Sequence, residues 1–191
     1  MANNILICGV GGQGTVLAAK IISQAAINQG QKVLSAETIG MAQRGGSVVS
    51  HVRIGDDCYS PLIPLGQADL LISFEAAEAV RNLPYLKKDA AIIVNRKILQ
   101  PTTASITGVT FSEDAMIEEL KKHSSKVSVI DTDKACADLK SSKIVNTLLL
   151  GAACHTGVID MKSVEDAIRL LVKPEFYELN IKALHYSIDN A

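Results

Sequence analysis

The sequence predicts an α/β protein: a three-layer α/β/α sandwich around an open, mostly parallel but mixed sheet, with a Rossmann-like start. Short β-branched runs of strand length alternate along the chain with longer segments whose apolar residues recur at helical spacing. A glycine-rich turn also joins the first strand to the first helix. This alternation is typical of a sheet covered by helices on both faces.

Length and composition favour one domain over residues 1–191. The chain is 48% hydrophobic, enough for a large core, and that core is aliphatic because aromatic residues make up only 4%. No internal repeat, low-complexity tract or linker divides the sequence.

Charge and cysteine usage exclude several classes of protein. A net charge of -1 gives no general attraction for nucleic acid. No apolar run reaches the ~18 residues of a membrane span, and the first residues lack the pattern of a signal peptide. The four cysteines include no CxxC pair, which argues against an iron–sulfur or zinc site built by this chain alone. We therefore expect a cytoplasmic protein with reduced thiols and no bound metal.

The first elements resemble a nucleotide-binding unit. Asn4–Cys8 is predicted as a strand, 15–29 as a helix and 32–36 as a second strand, which together form a βαβ unit with a parallel, right-handed crossover. The intervening loop, GVGGQG at 9–14, fits G-x-G-x-x-G, and its amides at a helix N-terminus suit an anion. Glu37 stands near the position of a ribose-binding acid. Alternatively, the glycines only allow a sharp turn and close helix packing.

A second loop at 37–46, ETIGMAQRGG, is too long and specific for a simple connection. Arg44 offers a permanent cation with a planar donor fork, suited to a carboxylate or phosphate. A β-branched strand follows at 47–54. The alternative is a glycine-rich surface turn with a solvated arginine.

The remaining elements complete the sandwich. Residues 100–111 suggest an edge strand or an extended connection, and the helix at 142–155 is apolar nearly all round, which indicates burial between layers or against a partner. Predicted strands lie at 70–74, 90–95 and 127–130, and further helices at 75–81, 112–122, 131–139, 163–171 (capped by Ser163) and 175–188.

No reaction centre is evident. His51, His123, His155 and His185 are separated, and no Ser-His-Asp order, P-loop or HExxH motif occurs. The acids of 131–133 fit a helix start better than a metal site. From its residues alone, the chain is a ligand-binding or partner-binding module with a glycine loop facing an arginine–glycine loop.

The two loops carry a family resemblance. GVGGQG at 9–14 and ETIGMAQRGGSVVSHVRIG at 37–55 closely resemble the gamma-type domain of the 2-oxoacid:ferredoxin oxidoreductases, and the indolepyruvate enzymes are the most similar. The resemblance extends to YSPLIPLGQADLLISFE at 59–75, VNTLLLGAA at 145–153 and VKPEFYELN at 172–180. Ile39 departs from the pattern, in which a histidine or another polar residue precedes Gly40.

The resemblance implies a subunit of an enzyme that converts a 2-oxoacid, here indolepyruvate or another aryl pyruvate, and CoA to acyl-CoA and carbon dioxide. Two electrons pass to ferredoxin. Thiamine diphosphate and the [4Fe-4S] clusters are expected on a large partner subunit, in a heterodimer or heterotetramer. This chain would bind no cofactor tightly and would be inactive alone.

The resemblance also suggests which residues form a CoA site, although none is assigned a catalytic role. Loop amides and Arg44 would hold an anion, either a CoA phosphate or the substrate carboxylate. The candidates are Gly9, Gly11, Gly12, Gln13, Gly14, Thr38, Met41, Gln43, Arg44, Gly45 and Gly46. Two other hypotheses remain open: a stand-alone Rossmann-like nucleotide binder, and a purely structural subunit whose loops only dock the large chain.

Overall fold

A computed structural model describes residues 3–39, 46–100 and 110–189. Six strands within these ranges form one sheet in the order β2-β3-β1-β4-β5-β6. In chain order they are Asn3–Val10 (β1), Val33–Ile39 (β2), Ser47–Ile54 (β3), Ala68–Ser73 (β4), Leu86–Asn95 (β5) and Val127–Ile130 (β6).

The sheet is mixed because one strand runs against the others. β3 pairs antiparallel with both β1 and β2, whereas β1, β4, β5 and β6 pair in parallel. β1 and β2 therefore point the same way, as the sequence predicts, but β3 lies between them. The simple βαβ interpretation is wrong in this respect. Glu37 pairs with Ser50 of β3, so it lies two strands, roughly 10 Å, from β1 and does not occupy the ribose position of a dinucleotide-binding fold.

Seven α-helices lie in the described residues, and two of them have a side-chain cap where the sequence predicts a helix start. Ser112 accepts a hydrogen bond from the Ala115 amide, and Asp131 accepts from two amides of its helix. The predicted cap Ser163 is wrong: Asp160 caps that helix, which starts at Met161. The helices are Thr15–Asn28 (α1), Ala76–Arg81 (α2), Glu113–His123 (α3), Thr132–Asp138 (α4), Val145–Cys154 (α5), Met161–Leu171 (α6) and Pro174–Asp189 (α7).

Alternating side chains of the central strands bury both faces of the sheet. Ile5 and Ile7 of β1 pack in one cluster with residues of α1, α5, α6 and α7. Leu6 and Cys8 pack on the opposite face with residues of α2 and α3. This arrangement confirms the predicted α/β/α sandwich.

The apolar helix α5 is buried, as its composition predicts, and it packs closely against α7. A β-carbon built on Gly151 would lie 2.1 Å from the Leu184 carbonyl oxygen, so only glycine allows this approach. Thr147 donates a 2.5 Å hydrogen bond to the side-chain oxygen of Asn180 across the same contact.

Two further findings bear on the sequence predictions. Residues 101–109, most of the predicted edge strand or extended connection, lie outside the described residues. None of the helices in the described ranges combines the length and apolarity needed to cross a bilayer.

Candidate functional site

The glycine loop begins in the last two residues of β1. Gly9, its first glycine, has no space beside it for a side chain. A β-carbon at Gly9 would lie 2.6 Å from Gln13 Oε1 and 2.8 Å from Phe74 Cβ. Gly12 and Gly14 have φ of 99° and 95°, a left-handed conformation that favours glycine. The loop conformation therefore depends on glycine at all three positions.

Gln13 braces the loop from within. The side-chain oxygen of Gln13 accepts a 2.7 Å hydrogen bond from the backbone amide of Val10. The backbone amide of Gln13 donates in turn to the Val10 carbonyl oxygen at 3.2 Å. This candidate residue thus uses its acceptor oxygen to close the turn, which fixes where the neighbouring glycine amides lie.

The second loop meets the first at its carboxyl-terminal end. The Gly11 amide donates a 2.9 Å hydrogen bond to the Gly46 carbonyl oxygen. This bond places Gly46 beside the glycine loop, and it also occupies the Gly11 amide, which is then not available to a ligand. Four other candidates, Met41, Gln43, Arg44 and Gly45, lie outside the described residues.

Thr38 lies at the other end of the second loop, near the end of β2. Its hydroxyl donates to the Val49 carbonyl oxygen of β3 at 3.1 Å. Because β3 separates β2 from β1, Thr38 stands one strand farther from the glycine loop than Gly46 does. The hydrogen bond of the Thr38 side chain therefore joins β2 to β3 within the sheet.

Helix α1 begins at this loop without a side-chain cap. Gly14 is its N-cap residue, and the first turn contains no acid. The first intrahelical bond runs from the Ala18 amide to the Gly14 carbonyl oxygen, so the amides of 15–17 precede the helical ladder. Such amides, with the positive end of the helix dipole, attract an anion.

A cleft of about 580 Å³ opens along the glycine loop and the first turns of α1. Lys20 brings a positive charge to it, and Val48 of β3 forms an apolar wall. Neither residue is among those predicted from the sequence. A signal existed for Lys20, which is the only charged residue of α1. The lining residues are Gly11, Gly12, Gly14, Thr15, Val16, Leu17, Lys20 and Val48.

A buried acid of α2 supports the end of the second loop. Ser47, next to Gly46, donates a 2.6 Å hydrogen bond to Glu78, which also pairs with Arg81 at 3.2 Å. Glu75 caps α2 and accepts hydrogen bonds from the amides of Glu78 and Leu99. Burial raises the pKa of the Glu75 carboxyl. The described contacts therefore assign Glu78 to holding the end of the second loop, and Glu75 to fixing the start of α2 and the backbone at Leu99.

Cys8 of β1 and His51 of β3, the two strands that adjoin the loops, have structural contacts. Burial raises the pKa of the Cys8 thiol to about 12, so it stays protonated and is a poor nucleophile. His51 is buried, its Nδ1 accepts from the Ile63 amide at 3.2 Å, and burial lowers its pKa. Within the described ranges, no group of three His, Cys, Asp or Glu residues could hold a metal ion.

Comparison with known proteins identifies the family. Residues 4–189 match the family described as Pyruvate ferredoxin/flavodoxin oxidoreductase. The chain belongs to this family. The gamma-type resemblance seen in the two loops is therefore confirmed by a match over almost the whole sequence.

Curated members of the family are similar over nearly their full length. The indolepyruvate oxidoreductase subunit IorB of Archaeoglobus fulgidus is 40% identical, over 100% of this chain and 96% of the relative. The common gamma subunit of the pyruvate/ketoisovalerate oxidoreductases of Pyrococcus furiosus is 28% identical, over 92% of this chain and 89% of the relative. The predicted kind of protein, an accessory subunit of a 2-oxoacid oxidoreductase, is thereby confirmed.

A solved structure of the family shows the same fold. The gamma subunit of a keto/oxoacid ferredoxin oxidoreductase from Geobacter sulfurreducens matches with a TM-score of 0.70 and 23% identity, over 98% of this chain and 96% of that one. The α/β fold of this chain thus matches that of a solved gamma subunit.

Proposed function

We propose that this chain is the accessory subunit of an indolepyruvate- or aryl-pyruvate-oxidising 2-oxoacid:ferredoxin oxidoreductase. The complex would convert the 2-oxoacid and CoA to acyl-CoA and carbon dioxide and pass two electrons to ferredoxin. Membership of the family and the 40% identity to an indolepyruvate oxidoreductase subunit support this reaction.

The chemistry is assigned to a large partner subunit, in a heterodimer or heterotetramer. That subunit would carry thiamine diphosphate, which stabilises the carbanion left by decarboxylation, and the [4Fe-4S] clusters that conduct the electrons. The four cysteines of this chain are free thiols. The role of this chain, in contrast, would be to bind and orient CoA at the edge of the partner's active site.

The Gly11–Gly46 hydrogen bond is the observation that carries the site assignment. It holds the end of the arginine-bearing loop beside the uncapped N-terminus of α1 and the cleft that contains Lys20. We assign the anion of CoA to the glycine loop and to the second loop, with Arg44 as the strongest cation. Gln13 and Ser47 position these loops through their contacts with Val10 and Glu78.

The test uses the reconstituted complex with the large subunit. Arg44→Ala is expected to raise the apparent KM for CoA at least tenfold, because a charge-assisted contact is lost, while kcat at saturating CoA changes little. Arg169→Ala, on α6, is the matched control and leaves both constants unchanged. An unaltered KM for both CoA and 2-oxoacid in Arg44→Ala complexes contradicts the assignment.

A stand-alone nucleotide binder is the second candidate, favoured by G-x-G-x-x-G alone. The position of Glu37, two strands from β1, argues against it. Thermal-shift titrations of the isolated chain with NAD, NADP and CoA separate the two functions. Stabilisation by NAD or NADP with no response to CoA would favour the nucleotide binder.

A further inference from the structure

A second, smaller pocket opens where α1, the edge strand β2 and the last residue of α6 meet. Its volume is about 220 Å³, below the ~300–1,000 Å³ of pockets that hold drug-sized ligands. Its lining includes none of the described residues 9–14, although Lys20 borders both this pocket and the cleft beside the glycine loop. The pocket therefore suits a small ligand of its own.

The pocket presents two opposite charges that do not pair with each other. Lys20 and Glu37 both line it and both are exposed. No ion pair joins them, and neither side chain has a polar partner among the described residues. A ligand that carries one cationic and one anionic group would give each of them a charge-assisted contact.

Two buried hydroxyl groups beside these charges lack a partner. Ser23 lines the pocket, and its Oγ is buried and makes no hydrogen bond within the ranges that the structure describes. Ser50 is fully buried, and its Oγ is likewise unpaired. It lies opposite Glu37 in the pairing of β2 with β3, so the two side chains share the face of the sheet that borders the pocket. A buried hydroxyl without a partner is unfavourable, and a polar ligand would supply the partner that Ser23 lacks.

The rest of the pocket wall includes exposed apolar side chains. Ile27 of α1 and Leu171 of α6 line it and are 53% and 39% exposed. A ligand with an apolar group gains free energy by covering them, because that removes apolar surface from water on both sides of the contact.

We infer that this pocket binds a free α-amino acid with an apolar side chain. The ammonium group of the ligand pairs with Glu37 and its carboxylate with Lys20, while Ser23 donates a further hydrogen bond to the carboxylate. The ligand side chain packs on Ile27 and Leu171. A simple anion or cation would pair with one of the two charged residues and meet a like charge at the other. The inference does not rest on the proposed function.

The experiment measures calorimetric binding and thermal unfolding of the full-length chain, with L-leucine and L-phenylalanine as the first probes. Both are expected to bind at millimolar concentration or below and to raise the Tm. N-acetyl-L-leucine lacks the ammonium group and L-leucinamide lacks the carboxylate, so each should bind at least tenfold more weakly. Glycine has no side chain to cover the apolar wall and should also bind at least tenfold more weakly.

Three variants locate the binding. Glu37→Gln should weaken L-leucine binding at least tenfold and leave N-acetyl-L-leucine binding unchanged, because that ligand has no ammonium group. Ser23→Ala removes an unpaired hydroxyl from a helix, so it should raise the Tm of the ligand-free chain and weaken L-leucine binding about threefold. Glu118→Gln, at an exposed position of α3, removes the same charge elsewhere and should leave L-leucine binding unchanged.

The absence of any binding by L-leucine and L-phenylalanine would overturn the inference, and so would equal L-leucine affinity in the unmodified and Glu37→Gln chains. CoA is the last probe, because Lys20 borders both the pocket and the cleft. If CoA but neither amino acid stabilises the chain in a Glu37-dependent way, the pocket is part of the CoA cleft and the inference is wrong. If the amino acids bind in a Glu37-dependent way and CoA does not bind, the inference stands and the proposed CoA function fails.

Discussion

The Gly11 amide donates to the Gly46 carbonyl oxygen at 2.9 Å, and this bond joins two loops through residues that lie 35 positions apart in the sequence. β3 explains how they meet. Its first residue, Ser47, pairs with Val10, the last residue of β1. Because β3 is antiparallel to β1, the segment that enters β3 must arrive at the edge of the sheet where the glycine loop leaves.

Ser47 is expected to hold this junction through Glu78. Ser47→Ala removes a hydrogen bond of 2.6 Å to a buried carboxylate, which should lower the free energy of unfolding by about 1–2 kcal/mol. Hydrogen exchange of the Gly11 amide, the donor in the junction, should accelerate about tenfold. Ser47→Thr retains the hydroxyl and should retain slow exchange. Unchanged Gly11 exchange in Ser47→Ala would show that Glu78 does not hold the loop.

Gly9 is expected to tolerate no side chain. The β-carbon of Gly9→Ala would lie 2.6 Å from Gln13 Oε1 and 2.8 Å from Phe74 Cβ. Relieving both contacts displaces the glycine loop and should cost roughly 2–3 kcal/mol of stability. Gly30→Ala is the matched control, since Gly30 has φ of 74° and open space around its β-carbon position. It should cost about 1 kcal/mol and leave exchange of the Gly11 amide unchanged, whereas Gly9→Ala should accelerate it. Urea unfolding and hydrogen exchange measure the two effects.

Gly151 is expected to set the distance between α5 and α7. A β-carbon there would lie 2.1 Å from the Leu184 carbonyl oxygen, and backbone cannot move aside as a flexible side chain can. Gly151→Ala should therefore separate the two helices and lower the free energy of unfolding by about 3 kcal/mol. Gly157→Ala adds the same methyl group at an open position with φ of 73° and should cost about 1 kcal/mol. Equal losses in the two variants, measured by urea unfolding, would contradict this view of the helix contact.

Local patterns predicted most elements but not the position of β3. The strands at 47–54 and 127–130 occur at the predicted bounds, because runs of β-branched residues bounded by turns are local signals. The insertion of β3 between β1 and β2 depends on long-range pairing, which neither strand encodes in its own residues. A G-x-G-x-x-G loop after a strand therefore suggested neighbouring β1 and β2, and that placed Glu37 wrongly.

The candidate site, like the fold, was predictable where its signals are local in the sequence and not where they depend on packing. The glycine loop and Gly46 were found because glycines with adjoining polar residues are visible in sequence. Val48 was missed because a valine in a strand carries no signal of its own, and only its place in the cleft beside α1 gives it significance. Capping shows the same limit: Ser163 and Asp160 both fit the start of α6, and the backbone geometry selects Asp160.

His51 is expected to make stability depend on pH. Its Nδ1 accepts from the Ile63 amide, and at 3% exposure the ring is held neutral, so its pKa is lower in the folded than in the unfolded chain. The contribution is complete above the unfolded-state pKa of about 6.5. Below it the unfolded chain takes up a proton that the folded chain does not, so stability falls by up to about 1.4 kcal/mol per pH unit until the folded-state pKa is reached.

His51→Asn tests this origin of the pH dependence, because the asparagine side-chain oxygen can replace Nδ1 as acceptor and does not titrate. The variant should lose stability at pH 8, since the edge contact of His51 with the Tyr85 ring at 5.5 Å disappears. Its stability should then fall less between pH 7 and pH 5.5 than that of the unmodified chain. Tyr85→Leu removes the same ring contact but keeps the imidazole, so it should retain the original pH slope. Urea unfolding at a series of pH values measures all three slopes, and an unaltered slope in His51→Asn would assign the pH dependence to other groups.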